Sequence, residues 1–235
     1  AEWIKVPLTE DHQYNLEGMR KAADAETTLL FVCNPNNPTG IEIPNDRVRS
    51  FCADMGKKHV IYLDEAYIEL SSMGLKGSMV DMVDAYPKLI IARTFSKIYG
   101  LAGLRIGYAI AHPDTIRFLM RYHIGRMVTP GVTSVRAAIA SIMDDKFFAM
   151  SGKMIAEARA HVCSKFDHWG ITYMPSVTNF IFFKTDKFAV DVRKALEKEQ
   201  VYIQNYMHVP GWARVSIGTM DEMKIFLAQV KKLIS

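Results

Sequence analysis

The 235-residue sequence is poor in cysteine, has no long apolar run and gathers no block of like charge. Each scarcity removes a class of function. Its three cysteines, Cys33, Cys52 and Cys163, cannot all pair, and none stands in a CxxC or Cys/His spacing. That excludes a disulfide framework and a zinc module, and the three read as reduced core residues. No uninterrupted apolar stretch reaches the roughly 18 residues that a membrane-spanning helix needs, and nothing at the start has the layout of a signal peptide. The expectation is a globular, cytoplasmic protein. A net charge of +4 is modest, and the lysines and arginines are scattered, which argues against nucleic-acid binding. Seven histidines, His12, His59, His112, His123, His161, His168 and His208, form no metal-binding spacing and read as ordinary surface or core residues. Among them only His208 stands in a loop worth testing. The sequence shows neither internal repeats nor low-complexity segments.

What is present is an apolar content of 49%, ample for an extended core, arranged in a pattern that changes along the chain. In the first half short apolar runs alternate with helical patterns: strands over 27–33, 59–63, 88–92 and 104–111, and a helix over 44–57. Such alternation predicts α/β architecture, a mostly parallel sheet with flanking helices. Pro113 and Asp114 suit the opening of another helix. Beyond Thr133 the pattern is helical. Phe147, Met150, Met154, Ala158, Val162 and Phe166 recur every three or four residues, which predicts one long helix with this row in the core. The tail reads as a strand over 178–183, a helix over 190–200, strands over 201–204 and 213–217, and a helix over 221–233. That is a small α+β unit. The expected division is therefore 1–145 and 146–235, with the long helix bridging the two parts.

Three polar residues lie just past the carboxyl ends of predicted strands. They are Asn37 in Asn34-Pro35-Asn36-Asn37-Pro38-Thr39-Gly40, Asp64 in Asp64-Glu65-Ala66-Tyr67, and Lys97 in Arg93-Thr94-Phe95-Ser96-Lys97. Ligands of open parallel sheets bind outside those strand ends, so an amide, a carboxylate and an amine are expected at one rim. That set suits an aromatic aldehyde with a basic ring nitrogen. The segment after Lys97 runs Ile98-Tyr99-Gly100-Leu101-Ala102-Gly103-Leu104-Arg105. It sets an arginine eight residues beyond the lysine, as a Schiff-base lysine with a phosphate clamp would require.

With these motifs in this order, the chain resembles the pyridoxal-phosphate aminotransferases of the aspartate aminotransferase fold, and within them the histidinol-phosphate aminotransferase branch. The resemblance covers the whole chain and implies a longer family member with an amino-terminal segment before residues like Trp3-Ile4-Lys5. An export signal in that segment would change the cytoplasmic expectation. Residues 1–145 would then be part of a cofactor-binding large domain and 146–235 a small domain. The implied cofactor is pyridoxal 5'-phosphate. By resemblance Lys97 is the Schiff-base lysine and proton carrier, and Asp64 faces the pyridine nitrogen. Asn37 and Tyr67 bind the phenolic oxygen, while Arg105 with Thr94 and Ser96 binds the phosphate. Arg214, with Asn37, grips the substrate carboxylate, and Asn179 has a supporting place. Competing readings stay open: an Asx turn for Asp64, turn formation for Asn37, a core aromatic for Tyr67, a solvent-facing arginine for Arg214.

The implied reaction moves an amino group between an amino acid and a 2-oxo acid, with histidinol phosphate, an aromatic or another α-amino acid as substrate. One departure bears on the choice. The branch usually presents an arginine where Gln204 falls, and glutamine offers no charge to a substrate phosphate. A decarboxylase on the same scaffold and a cofactor-sensing regulator domain are the alternatives. The resemblance also implies a homodimer, and a sheet edge left bare where a preceding segment would cover it.

Overall fold

Strands β1 (Leu29–Cys33), β2 (Val60–Asp64) and β3 (Leu89–Thr94) run parallel, and β4 (Gly107–Ala111) joins them antiparallel, in the order β1-β2-β3-β4. The computed structural model describes residues 2–10, 12–122, 130–206 and 209–234, so His123 and His208 lie outside the described residues. Two units divide the chain, one of residues 1–35 and 42–143, the other of 36–41 and 144–235.

In the first unit the strands turn alternate side chains to opposite faces. Leu30, Val32, Ile61, Leu63, Leu89 and Ile91 make the buried row. Helix α1 (Leu16–Ala22) places Leu16 on it, and α2 (Asn45–Met55) adds Val48, Phe51, Cys52 and Met55, an i, i+3, i+4, i+7 stripe. Burial pushes the Cys52 thiol up to about 12, as befits an inert core cysteine. The other face is less covered. Leu29 and Phe31 are exposed on edge strand β1, where Phe31 stacks on Tyr62 with ring centroids 5.5 Å apart.

β4 is the antiparallel member of the mostly parallel sheet. The connection 95–106 contains one 3-10 turn, Ala102–Leu104, and no helix, whereas a parallel return needs a crossover, usually helical. Arg105, at φ 49°, reverses the chain into β4. Gly107 then lets the strands close, since a Cβ there would meet the Arg93 carbonyl oxygen at 2.6 Å. After β4 come α3 (Pro113–Tyr122) and α4 (Val132–Ile142).

The second unit is a three-stranded antiparallel sheet, β5 (Phe180–Lys184), β6 (Gln204–Asn205) and β7 (Trp212–Ser216), in the order β5-β7-β6, with helices α5 (Asp145–Trp169), α6 (Val192–Lys198) and α7 (Met220–Leu233). Strand β6 is two residues long rather than the expected 201–204, because its partner β7 is engaged only at Ala213 and Arg214. The long helix α5 falls within this unit. Its buried row is Ser151, Ile155, Ala158, Val162 and Phe166, while Phe147, Met150 and Met154 are exposed. Both rows have helical spacing; the buried one is set by where the helix meets its packing partners, among them α7, which the apolar pattern alone does not specify. Phe166 meets the rings of Phe183 and Phe226 at 5.1 and 6.2 Å.

Candidate active site

Asp64 ends β2, and its Oδ1 accepts the Ala66 N–H at 3.0 Å, which closes a tight turn and sends the chain to Tyr67. Tyr67 is buried. Lys97 follows β3 by three residues and carries its Nζ over the Tyr67 ring, 4.8 Å from the centroid. The same amine acts on Asp64: burial raises the carboxyl's pKa, and the Ala66 N–H and the Lys97 charge pull it back. The first unit therefore brings Lys97, Tyr67 and Asp64 together from two strand ends.

Thr94 and Ser96 face each other across the turn after β3, with their hydroxyls 2.9 Å apart and the Ser96 N–H donating to Thr94 Oγ1 at 3.1 Å. The Phe95 N–H donates to the Ile106 carbonyl, so the backbone beside Arg105 lies next to this turn. The Arg105 side chain is exposed, and its Nη1 donates to the Ala102 carbonyl at 3.0 Å.

Asn37 belongs to the second unit, in segment 36–41. The Asn36 side chain donates to Thr39, the Gly40 N–H to the Asn36 carbonyl, and the Val177 N–H to the Gly40 carbonyl. Gly40, at φ 77°, leaves no room for a side chain, since a Cβ would stand 2.3 Å from Ser176 Oγ. So held, Asn37 accepts the Arg214 Nη1–H at 2.7 Å and the Tyr206 hydroxyl at 3.4 Å. Arg214 comes from β7, its guanidinium 4.8 Å from the Phe180 ring centroid and 5.7 Å from that of Tyr206. Its Nε is buried and has no hydrogen-bond partner among the described residues. A buried charged donor without an acceptor is costly, so this site asks for an anion. Asn179 contributes its carbonyl to the Ile217 N–H. Gln204 lies opposite Arg214 across the β6–β7 pair, exposed, with its amide donating to the Asn205 carbonyl.

A family model described as aminotransferase class I and II matches residues 1–230. The chain belongs to that family. A histidinol-phosphate aminotransferase of Brevibacillus brevis is 35% identical over 237 residues, covering all of this chain and 64% of that relative. The solved histidinol-phosphate aminotransferase of Sinorhizobium meliloti, in complex with pyridoxal-5'-phosphate, is 28% identical with a TM-score of 0.87, over 98% of this chain and 63% of that one. The chain thus spans under two thirds of the length of these relatives. An L-threonine-O-3-phosphate decarboxylase of Porphyromonas gingivalis, 20% identical with a TM-score of 0.75 over 94% of this chain and 69% of its own, shares the fold. The mostly parallel first sheet and the antiparallel second one are therefore the fold of the aminotransferase family.

Sequence reasoning missed several residues of this aminotransferase-family chain. Tyr206 was hidden because its contact with Asn37 spans 169 positions. Arg93 and Glu65 sit inside the very motifs that point to Lys97 and Asp64, yet nothing in those motifs says that they pair.

Proposed function

We propose that this chain carries cofactor-binding and carboxylate-binding parts of a pyridoxal 5'-phosphate-dependent aminotransferase, which moves an amino group between an α-amino acid and a 2-oxo acid. The observation that carries the reading is the Lys97 amine over Tyr67 and within electrostatic reach of the desolvated Asp64 carboxylate. The donor set fits the cofactor. A half-buried carboxylate suits a cationic ring N–H, and paired hydroxyls at Thr94 and Ser96 with a guanidinium at Arg105 suit a phosphate. The names of the relatives, and the cofactor bound to one of them, support the same assignment.

When bound, pyridoxal 5'-phosphate supplies an aldehyde that condenses with amines and a protonated ring that draws electrons from the substrate carbon. With that group bound, Lys97 Nζ would hold the aldehyde and would carry the substrate proton. Asp64 would face the ring nitrogen and favour its protonated form. Tyr67 and Asn37 would bind the phenolic oxygen, and Thr94, Ser96 and Arg105 would hold the phosphate. Arg214 binds the substrate carboxylate through the fork whose Nε has no partner among the described residues, with Asn37 fixing its other arm. We assign residues 1–145 to the cofactor-binding domain and 146–235 to the small domain. The substrate is histidinol phosphate, an aromatic or another α-amino acid; the neutral Gln204 beside Arg214 weighs against a phosphate-bearing one. Family resemblance supports a homodimer, and the scarcity of cysteine a cytoplasmic location. Among the described residues no helix is long and apolar enough to cross a membrane.

The deciding experiment is to purify the protein from its full reading frame with pyridoxal phosphate and record its absorbance before and after L-glutamate. Conversion of the lysine-bound chromophore to the amine form establishes transamination. A chromophore that forms but ignores glutamate and a panel of amino acids shifts the assignment to a decarboxylase or a sensor. Absence of any chromophore overturns the role of Lys97.

A further inference from the structure

The ladder between β2 and β3 ends at the pair Asp64 and Ala92. Next come Glu65, just past the end of β2, and Arg93, still in β3, and both side chains turn into the protein. Their side chains are 2% and 9% exposed. Arg93 Nε and Nη2 both donate to Glu65 Oε2, at 3.1 and 3.0 Å, and Nη2 also donates to Ser78 Oγ at 2.6 Å. The Ser78 hydroxyl donates to the same carboxylate oxygen at 2.7 Å, while the Met79 N–H donates to Oε1 at 3.0 Å. With both oxygens held, the carboxylate cannot swing. On the far side Arg93 faces Tyr108 of β4, whose phenol and the Glu65 charge together outweigh the burial that would otherwise lower the guanidinium's pKa.

Stability alone does not account for this cluster. Two charges taken out of water give up their hydration, and well-packed apolar residues of similar volume serve as well or better. What the fork provides is one fixed geometry. Its location gives that geometry a use. Glu65 is bonded to Asp64, Arg93 stands four residues before Lys97, and the Glu65 N–H donating to Ala92 O at 2.9 Å is the last backbone link between the two strands. Past that link no β2–β3 ladder holds the loops 64–67 and 94–97 in register with one another, although the turn after β3 stays tied to β4 through Thr94 opposite Gly107 and the Phe95 N–H on the Ile106 carbonyl.

We infer that Arg93, Glu65 and Ser78 are positioning residues, which clamp β2 to β3 where their ladder stops and so fix the Lys97 amine relative to Asp64 and Tyr67. The inference rests on the proposed roles of Lys97 and Asp64. It is tested in the protein from its full reading frame with Glu65→Gln, Arg93→Lys, Ser78→Ala and the apolar double variant Arg93→Met/Glu65→Leu. Two readouts are taken on every variant whose far-ultraviolet circular dichroism matches wild type. One is the rate at which acetic anhydride labels Lys97 in the cofactor-free protein, relative to exposed lysines, read by peptide mass analysis. The other is the dissociation constant and induced circular dichroism of bound pyridoxal phosphate.

Loss of positioning changes Lys97 labelling in each folded variant, and weakens cofactor binding by about tenfold or more with a reduced induced signal, because small displacements of a reacting group are costly. The double variant keeps its fold yet shows the same defects. Wild-type labelling and wild-type induced signal in the folded variants, or full rescue by Arg93→Lys, would overturn the inference. If the single charge variants do not fold, Ser78→Ala and the double variant decide. Should wild type itself take up no cofactor, the proposed function fails, and the labelling rates still decide whether the cluster positions Lys97.

Discussion

Glu69, on the short turn after Tyr67, is a carboxyl that burial pushes up to about 7 from 4.5, with its own backbone N–H and Arg93 opposing the rise and the Glu65 charge adding to it. A raised acid is one whose folded state binds the proton more tightly than the unfolded state does. Stability therefore falls as pH rises from about 4.5 to about 7, and the loss is complete above that range. The size of the effect is about 3 kcal/mol at full ionisation, taking 1.36 kcal/mol for each pH unit of displacement. Glu69→Gln keeps the shape and removes the charge. Urea titrations at pH 4 and pH 8 are expected to show equal stabilities at pH 4 and a variant more stable by up to about that amount at pH 8. Equal stabilities at both values would show that Glu69 is ionised without cost in the fold.

Helix α7 shows how one element is set by a few local choices. Thr219 and Glu222 form a capping box: the Glu222 N–H donates to Thr219 Oγ1 at 3.3 Å, and the Thr219 N–H donates to the Glu222 carboxylate at 2.7 Å. Past the cap, Met223, Phe226, Leu227 and Val230 face the interior of the second unit. Thr219→Ala should cost about 1 kcal/mol and Thr219→Ser little, read by urea unfolding followed through Trp169 and Trp212, which both lie in that unit. A loss well below this in the alanine variant would mean that packing, not the cap, starts the helix. The helix was legible beforehand over 221–233, and its apolar spacing, cap and last-turn lysines agree with that range. The first three strands were legible for a similar reason, each an apolar run closed by Asn34, Asp64 or Thr94. The direction of β4 was not, since it depends on whether the connection holds a helix. Nor was the buried face of α5, where Met150 and Ser151 are adjacent and packing partners choose between them. At the site, the meeting of Lys97 and Asp64 followed from strand ends, while Tyr67 was named only through the family resemblance, and the Arg93 to Glu65 fork needed side-chain directions that no local pattern carries.

At the scale of the whole molecule, the question is what covers the apolar surface of the first unit. In α4 the residues Val132, Val135, Ile139 and Ile142 recur at helical spacing and are all exposed, and α3 exposes Phe118, Leu119, Met120 and Tyr122. Scattered surface hydrophobics need no explanation, but a continuous stripe on a helix with one buried residue, Ala138, is a face that the described residues of its own unit leave uncovered. A second copy of the protein is the cover that the proposed homodimer supplies. On that account Ile139→Lys, made in the full reading frame, places a charge at the centre of the contact and weakens self-association by about tenfold or more. Ile225→Lys, a single exposed position on α7, serves as the control and leaves association unchanged. Sedimentation velocity over a dilution series separates the outcomes. A shift of the monomer–dimer midpoint in the first variant alone assigns the α4 stripe to the dimer contact. Identical behaviour of Ile139→Lys and wild type would remove this face from the interface, because a lysine cannot be buried there without a partner at no cost to association.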